Sequence, residues 1–326
     1  MVNPIIAEVI RADFVESRHR GAFVVVDASG KNVASAGEFE HAFFPRSAIK
    51  AFQCLPLIES GAATALNLSD QEIALCCASH AGEPAHVRVA RCILAKAGVD
   101  EACLECGAHM PAAREASYDL VRQGAQPLQV HNVCSGKHAG MLALAKHLGA
   151  PLEGYVKPEH AVQKAVAATM SRLCDIDVAH APIGIDGCSV PTWAVPMHRL
   201  AQGFARLTDP ENQAAQWILR AVKAHPEMIE GVGKFDTKML QAVPRLFIKF
   251  GAEGVFCGAI PHAGLGFTLK CDDGATRGAQ VAVAQMLAGL GVWTADERAA
   301  LRSFTHEELH NWRKLDVGSV AAVELL

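Results

Sequence analysis

The chain opens on apolar runs of β type. Ile5–Phe14 and Ala22–Val26 are rich in Val, Ile and Phe, Asp27-Ala-Ser-Gly-Lys31 carries turn chemistry, and Asn32–Ala36 reads as a further strand. From Ser47 the period becomes helical, with Ile49, Phe52, Leu55 and Leu57-Ile58 on one side until Gly61. Glu72–Ala78 is a short apolar run that fits a buried strand or the end of a helix. Helical spacing then recurs at Ala85–Ala97, Ala112–Gly124, Gly136–Leu148, Glu159–Leu173, Met197–Leu207 and Gln213–Ala224. After Pro244 short Gly-punctuated strands return at Arg245–Phe250, Gly254–Ile260 and Leu265–Cys271, followed by helices at Gln280–Leu290 and Ala295–Phe304. This pattern predicts an α/β (α+β mixed) chain, with one mixed sheet built from N- and C-terminal strands and a helical lobe inserted between them.

Composition changes that picture little. The 326 residues, 51% of them hydrophobic, suffice for a large core without disulfides or a structural metal. No Pro/Ser-rich linker divides them, so 1–326 is read as one catalytic unit, its sheet lobe about 1–45 and 244–326 and its helical lobe about 80–243. Thirty basic residues against 34 acidic ones, with no Lys/Arg stripe, exclude a nucleic-acid partner. No run of 18 apolar residues offers a membrane span, and the N-terminus lacks a secretory signal. Eleven scattered cysteines read as reduced thiols, hence a cytoplasmic protein.

Three patterns look like chemistry and dissolve on inspection. His306-Glu-Glu-Leu-His310 has the spacing of a zinc-binding helix, but Thr305 and Glu308 make a capping box and predict an ordinary surface helix. Gly136-Lys137 and Gly233-Lys234 lack the other glycine and the Ser or Thr of a phosphate loop. Cys103-Leu-Glu-Cys106 has no second such pair.

Other groups carry more. Ser47-Ala-Ile-Lys50 opens a helix, where a spacing of three puts hydroxyl and amine on one face and a desolvated amine can serve as base. Lys249-Phe-Gly251 sits at a strand end, and a Lys-x-Gly strand with a Ser-x-x-Lys helix is the arrangement of penicillin-recognising serine hydrolases, although Phe250 stands where those have Thr. Ser79 lies between them in the chain-order place of a third element, with His80 and Ala81 in place of its Asp and Asn. Cys134-Ser-Gly-Lys137-His138 enters a helix, where a thiol is acidified, and Gly184-Ile-Asp186-Gly-Cys188 is a turn that can present side chains to a cleft. Two separated cysteines alone are weak evidence for zinc.

Taken in order, FPRSAIKAFQ, SHAGEPAHV, NVCSGKHAGML, GIDGCSVP, KFGAEGV and LKCDDGATRGAQVAVA resemble the class 3, or rhizobial-type, L-asparaginases of the asparaginase II family. The resemblance implies a fold similar to serine β-lactamases and glutaminases, and hydrolysis of L-asparagine to L-aspartate and ammonia. It implies two Ser-Lys tandems, Ser47 with Lys50 and Ser79 with Lys249, and a zinc ion held by Cys134, Lys137 and Cys188 that positions substrate rather than making the nucleophile. It also implies a homodimer. Acyl transfer follows, with Ser47 attacking and Lys50 as base, or with Ser79 as nucleophile instead. Arg46, His80, His138 and Asp186 are candidates for holding the substrate's α-carboxylate and α-ammonium. A glutaminase, a penicillin-recognising hydrolase and a non-catalytic zinc-binding protein are the alternative readings.

Overall fold

The computed structural model describes residues 2–326. In chain order the strands are β1 (Ile5–Arg11), β2 (Phe14–Asp27), β3 (Asn32–Ala36), β4 (Ala42–Phe43), β5 (Ile183–Ile185), β6 (Pro191–Trp193), β7 (Val195–Pro196), β8 (Phe247–Gly251), β9 (Val255–Ile260), β10 (Leu265–Cys271), β11 (His306–His310) and β12 (Asp316–Ala322). The helices are α1 (Lys50–Glu59), α2 (Ala62–Ala65), α3 (Asp70–Cys76), α4 (Pro84–Ala97), α5 (Arg114–Arg122), α6 (Ser135–His147), α7 (Ala161–Cys174), α8 (Met197–Arg206), α9 (Gln213–Ala224), α10 (Phe235–Ala242), α11 (Thr276–Gly289) and α12 (Ala295–Arg302). None is long and apolar enough to cross a membrane.

These elements form two compact units. The first takes the chain up to Ala48, Val195–Thr208 and Met239–Leu326. Its sheet runs β11-β12-β1-β2-β10-β9-β8, with β3 also on β2. It is mixed only in its origin at the two ends of the chain, because every pairing is antiparallel. The run Ala22–Val26 is apolar without alternation because both faces of β2 are covered. Ala22, Val24 and Val26 pack on Met197 and Ala201 of α8. On the opposite face α11 comes down so closely that a Cβ on Gly278 would lie 2.6 Å from the His19 ring. A Cβ on Gly266 would lie 2.0 Å from Ala201 O, so α8 meets β10 backbone to backbone.

Three expectations change here. β2 is one long strand from Phe14, not a strand beginning near Ala22. His306–His310 is strand β11, paired with β12, so neither a capping box nor a helical metal spacing exists. In a strand, positions four apart lie about 13 Å apart and share no metal. Asp316–Ala322, unassigned in the sequence reading, forms β12.

The second unit, Ile49–Ala194 and Asp209–Lys238, is helical. Glu72–Ala78 resolves as helix α3, started by a capping box between Ser69 and Glu72. Helix α6 is buried on every side from Ser135 to Ala145, which explains its lack of a polar stripe. Its glycines allow that packing. A Cβ on Gly136 would stand 2.5 Å from Leu75 Cγ and Leu75 O, and one on Gly140 would stand 2.8 Å from Cys76 Sγ.

Candidate active site

Lys50 is the first residue of α1 and wholly buried. The Ser-x-x-Lys segment is therefore not one α-helical face: Ser47 lies in a 3-10 turn, Arg46–Ile49, and the helix starts after it. Lys50 Nζ donates instead to Ser79 Oγ at 2.8 Å, to Cys134 Sγ at 3.2 Å and to Ala78 O. Ser79 follows α3 and is buried; its N–H is fixed to Ile229 O and that of His80 to Val133 O. The contact of Gly136 with Leu75 sets α6 against α3, so the start of one helix faces the end of the other. That packing brings Cys134, at the start of α6, to the Lys50 amine that also holds Ser79.

Cys134 occupies the N-cap of α6, which starts at Ser135, one residue earlier than the sequence pattern put it. Asn132 Oδ1 accepts from Cys134 N at 2.8 Å, and its amide donates to Cys106 O, shaping the turn. Cys188 comes from the loop of the β5–β6 hairpin, closed by Asp186 N to Val190 O at 2.9 Å, with Ser189 in a left-handed conformation at φ +76°. Lys137 Nζ lies 2.9 Å from Cys188 Sγ, and Asp186 Oδ2 lies 3.9 Å from the same sulfur. Two thiols, two amines and a hydroxyl, all buried, are thus linked in one cluster.

Electrostatics divide the thiols. The Cys188 thiol donates to Cys134 and, with Lys50 and Lys137 nearby, holds Cys134 well below the ordinary thiol range. The same shared proton, with burial, pushes Cys188 up. Burial opposes the charge on Lys137, but Cys188, Cys134 and Asp186 outweigh it and keep that ammonium more basic than usual. Two sulfurs in contact and an amine 2.9 Å from one of them, with the other sulfur favouring thiolate, fit a zinc donor set.

The two histidines differ. His80 Nδ1 accepts from Gly82 N at 3.1 Å, so its Nε2–H donates to Ser135 Oγ at 2.9 Å, and its ring stacks on His86 at 4.9 Å. Both of its nitrogens are engaged within the protein. His138 Nδ1 lies 2.6 Å from the Tyr155 hydroxyl, which accepts from Glu105 N at 2.9 Å. His138 Nε2 is buried with no partner among the described residues. Burial pushes both rings well below their ordinary value, helped by His86 and then Lys50 at His80 and by Lys137 and Lys50 at His138. Tyr155 escaped the sequence reading, because a lone Tyr in the loop before α7 carries no motif.

Ser47 and Lys249 belong to the sheet unit. Ser47 is half-buried and follows Arg46, which is held at φ +52°. Lys249 is wholly buried on β8, the edge of the sheet, with Nζ 2.9 Å from Phe250 O. A Cβ on Gly251 would lie 2.5 Å from Pro45 O and 3.1 Å from Ala48 N. Positions 249 and 251 face the same side of the strand, so Lys249 projects toward the turn that carries Ser47.

No curated protein sequence matches the chain. Among solved structures it is similar to two of Mglu. One, in its native form, has 14% identity over 88% of this chain and a TM-score of 0.34; the other has 15% over 80% and the same score. The chain spans 64% of the length of each. It is also similar to a β-lactamase from Mycobacterium bovis, with 13% identity over 87% of this chain and 95% of that one, at a TM-score of 0.28. The sequence profile of L-asparaginase II reaches further, matching residues 7–322 and so taking in every strand and helix but the first two residues of β1. On that match the chain belongs to the L-asparaginase II family.

Proposed function

We propose that this amidohydrolase converts L-asparagine and water to L-aspartate and ammonia, with Ser79 as nucleophile and Lys50 as its base. The observation that carries the reading is the 2.8 Å hydrogen bond between the buried groups Lys50 Nζ and Ser79 Oγ. As the free amine, Lys50 takes the Ser79 proton while Oγ attacks the side-chain amide carbon. The resulting ammonium returns that proton to the leaving nitrogen, and the C–N bond breaks to release ammonia. Water then attacks the β-aspartyl ester, Lys50 accepts the water's proton, and the proton passes back to Ser79 as aspartate leaves.

Ser47 and Lys249 are proposed as the second hydroxyl–amine pair that the reaction requires, and Arg46, His138 and Asp186 as groups that hold the α-carboxylate and α-ammonium. His80, with both nitrogens engaged, braces the Ser79 segment. Cys134, Lys137 and Cys188 would hold zinc, which when bound supplies a fixed positive charge to orient a polar substrate group. Lys137 must then bind as the neutral amine, so zinc uptake releases protons. Ammonia release measured in parallel with asparagine, glutamine and nitrocefin hydrolysis tests the assignment. Turnover of asparagine far above glutamine supports it. Preference for glutamine or for the lactam overturns it.

A further inference from the structure

Helix α5 has no buried residue, which is unusual for a nine-residue helix, since isolated helices of this length are marginal without tertiary packing. Its less exposed side, Ala116 and Leu120, lines a cavity of about 590 Å³ shared with α4. Val87 and Ala95 of α4, Pro84 and Pro111 complete an apolar wall. That volume and lining are those of a small-molecule site rather than a packing defect.

The polar groups on the wall are unequal. Arg91 is tied to Glu101 at 2.7 Å, and Asp119 to Arg122 at 2.7 Å. Among the described residues Arg88 has neither a hydrogen bond nor an ion pair, yet it lines the cavity. His131 accepts at Nδ1 from Leu128 N at 2.8 Å, which leaves its proton on Nε2 as a donor without a partner among the described residues. One guanidinium, one imidazole N–H and the Gln123 amide beside an apolar wall complement a molecule with an apolar body and a single carboxylate.

We propose that the cleft between α4 and α5 binds an amphipathic monocarboxylate, its carboxylate on Arg88 and His131 and its chain between Val87, Pro111 and Leu120. This site lies outside the Ser79 pocket and does not rest on the proposed activity. The probe is octanoate, with 1-octanol as the neutral counterpart, followed by displacement of a fluorescent anilinonaphthalene sulfonate and by thermal melts of the whole protein. Octanoate should displace the dye saturably and raise the melting temperature, with 1-octanol at least about tenfold weaker. Arg88→Glu and Leu120→Glu alter residues that are not buried, so both should fold, and each should weaken octanoate at least about tenfold. Equal affinity for acid and alcohol, unchanged affinity in Arg88→Glu, or no saturable binding would overturn the proposal. So would a dimer that falls apart in Leu120→Glu, because the cleft would then belong to a second copy.

Discussion

Lys50 Nζ and Ser79 Oγ lie 2.8 Å apart although 29 positions separate them in the chain. The contact exists because α1 delivers the amine at its first residue while α3 ends just before the serine, and Cys134 at the start of α6 also accepts from that amine. It makes Ser79 the hydroxyl to which the buried amine is joined. Ser47, nearer in sequence, sits before the helix in a turn.

The packing of the turn that carries Ser47 against β8 depends on Gly251. Adding a methyl group there puts carbon against Pro45 O and Ala48 N, neither of which can swing aside. Gly251→Ala is expected to cost about 1–3 kcal/mol of stability and to shift the turn carrying Ser47. Ser47→Ala and Lys249→Met should each lower kcat by at least about a hundredfold while leaving the fold intact. Urea unfolding together with ammonia release checks this; a Gly251→Ala protein of unchanged stability would contradict the packing argument.

Tyr155 positions His138. Tyr155→Phe strips the hydroxyl from both Glu105 N and His138 Nδ1, at a cost of about 1–3 kcal/mol for the unsatisfied groups. If His138 grips the substrate, KM should rise at least about tenfold with kcat little changed. A fall in kcat at constant KM would instead place His138 in the chemistry.

Zinc should bind with a stoichiometry of about one per chain and release protons as it does so. Cys134→Ala and Cys188→Ser should abolish uptake measured by elemental analysis after dialysis, whatever their activity. Undiminished zinc in either variant would remove these residues as ligands.

Acid should destabilise the fold through His80. Its ring must stay neutral to accept from Gly82 N, and burial holds its pKa well below the ordinary 6.5. Unfolded chains therefore bind a proton that the native state refuses, so this contribution is whole above about pH 6.5 and is lost as pH falls below that. Urea unfolding at descending pH should show the decline, and His80→Gln should show a shallower one. Equal slopes would mean that other groups govern it.

Much of this architecture is legible in the sequence because it is local. Asn32–Ala36, Leu265–Cys271 and Gln213–Ala224 are bounded by their own turn and cap residues, and the strands and helices stand where those signals put them. The errors arise where tertiary packing overrides spacing. His306–His310 looks helical by spacing but is recruited as an edge strand by β12, whose Gly318 and Ser319 blur its own apolar alternation. Glu72–Ala78 fits strand or helix until the Ser69–Glu72 cap decides. At the site, Cys134, Lys137 and Cys188 are grouped in the sequence only through the family resemblance, and the structure links them through Cys188. The hydrogen bond from Lys50 to Ser79 was not legible, because it joins residues 29 positions apart, whereas a spacing of three draws attention to Ser47. Tyr155 was silent for the same reason, since its value lies wholly in what it touches.

The central claim is that Ser79 carries the acyl group. Rapid acid quenching of the enzyme during turnover of L-asparagine, followed by peptide mass mapping, reads it directly. A β-aspartyl ester on the Ser79 peptide, absent in Lys50→Met, is the predicted result. An ester on the Ser47 peptide, or full turnover by Ser79→Ala, would contradict it.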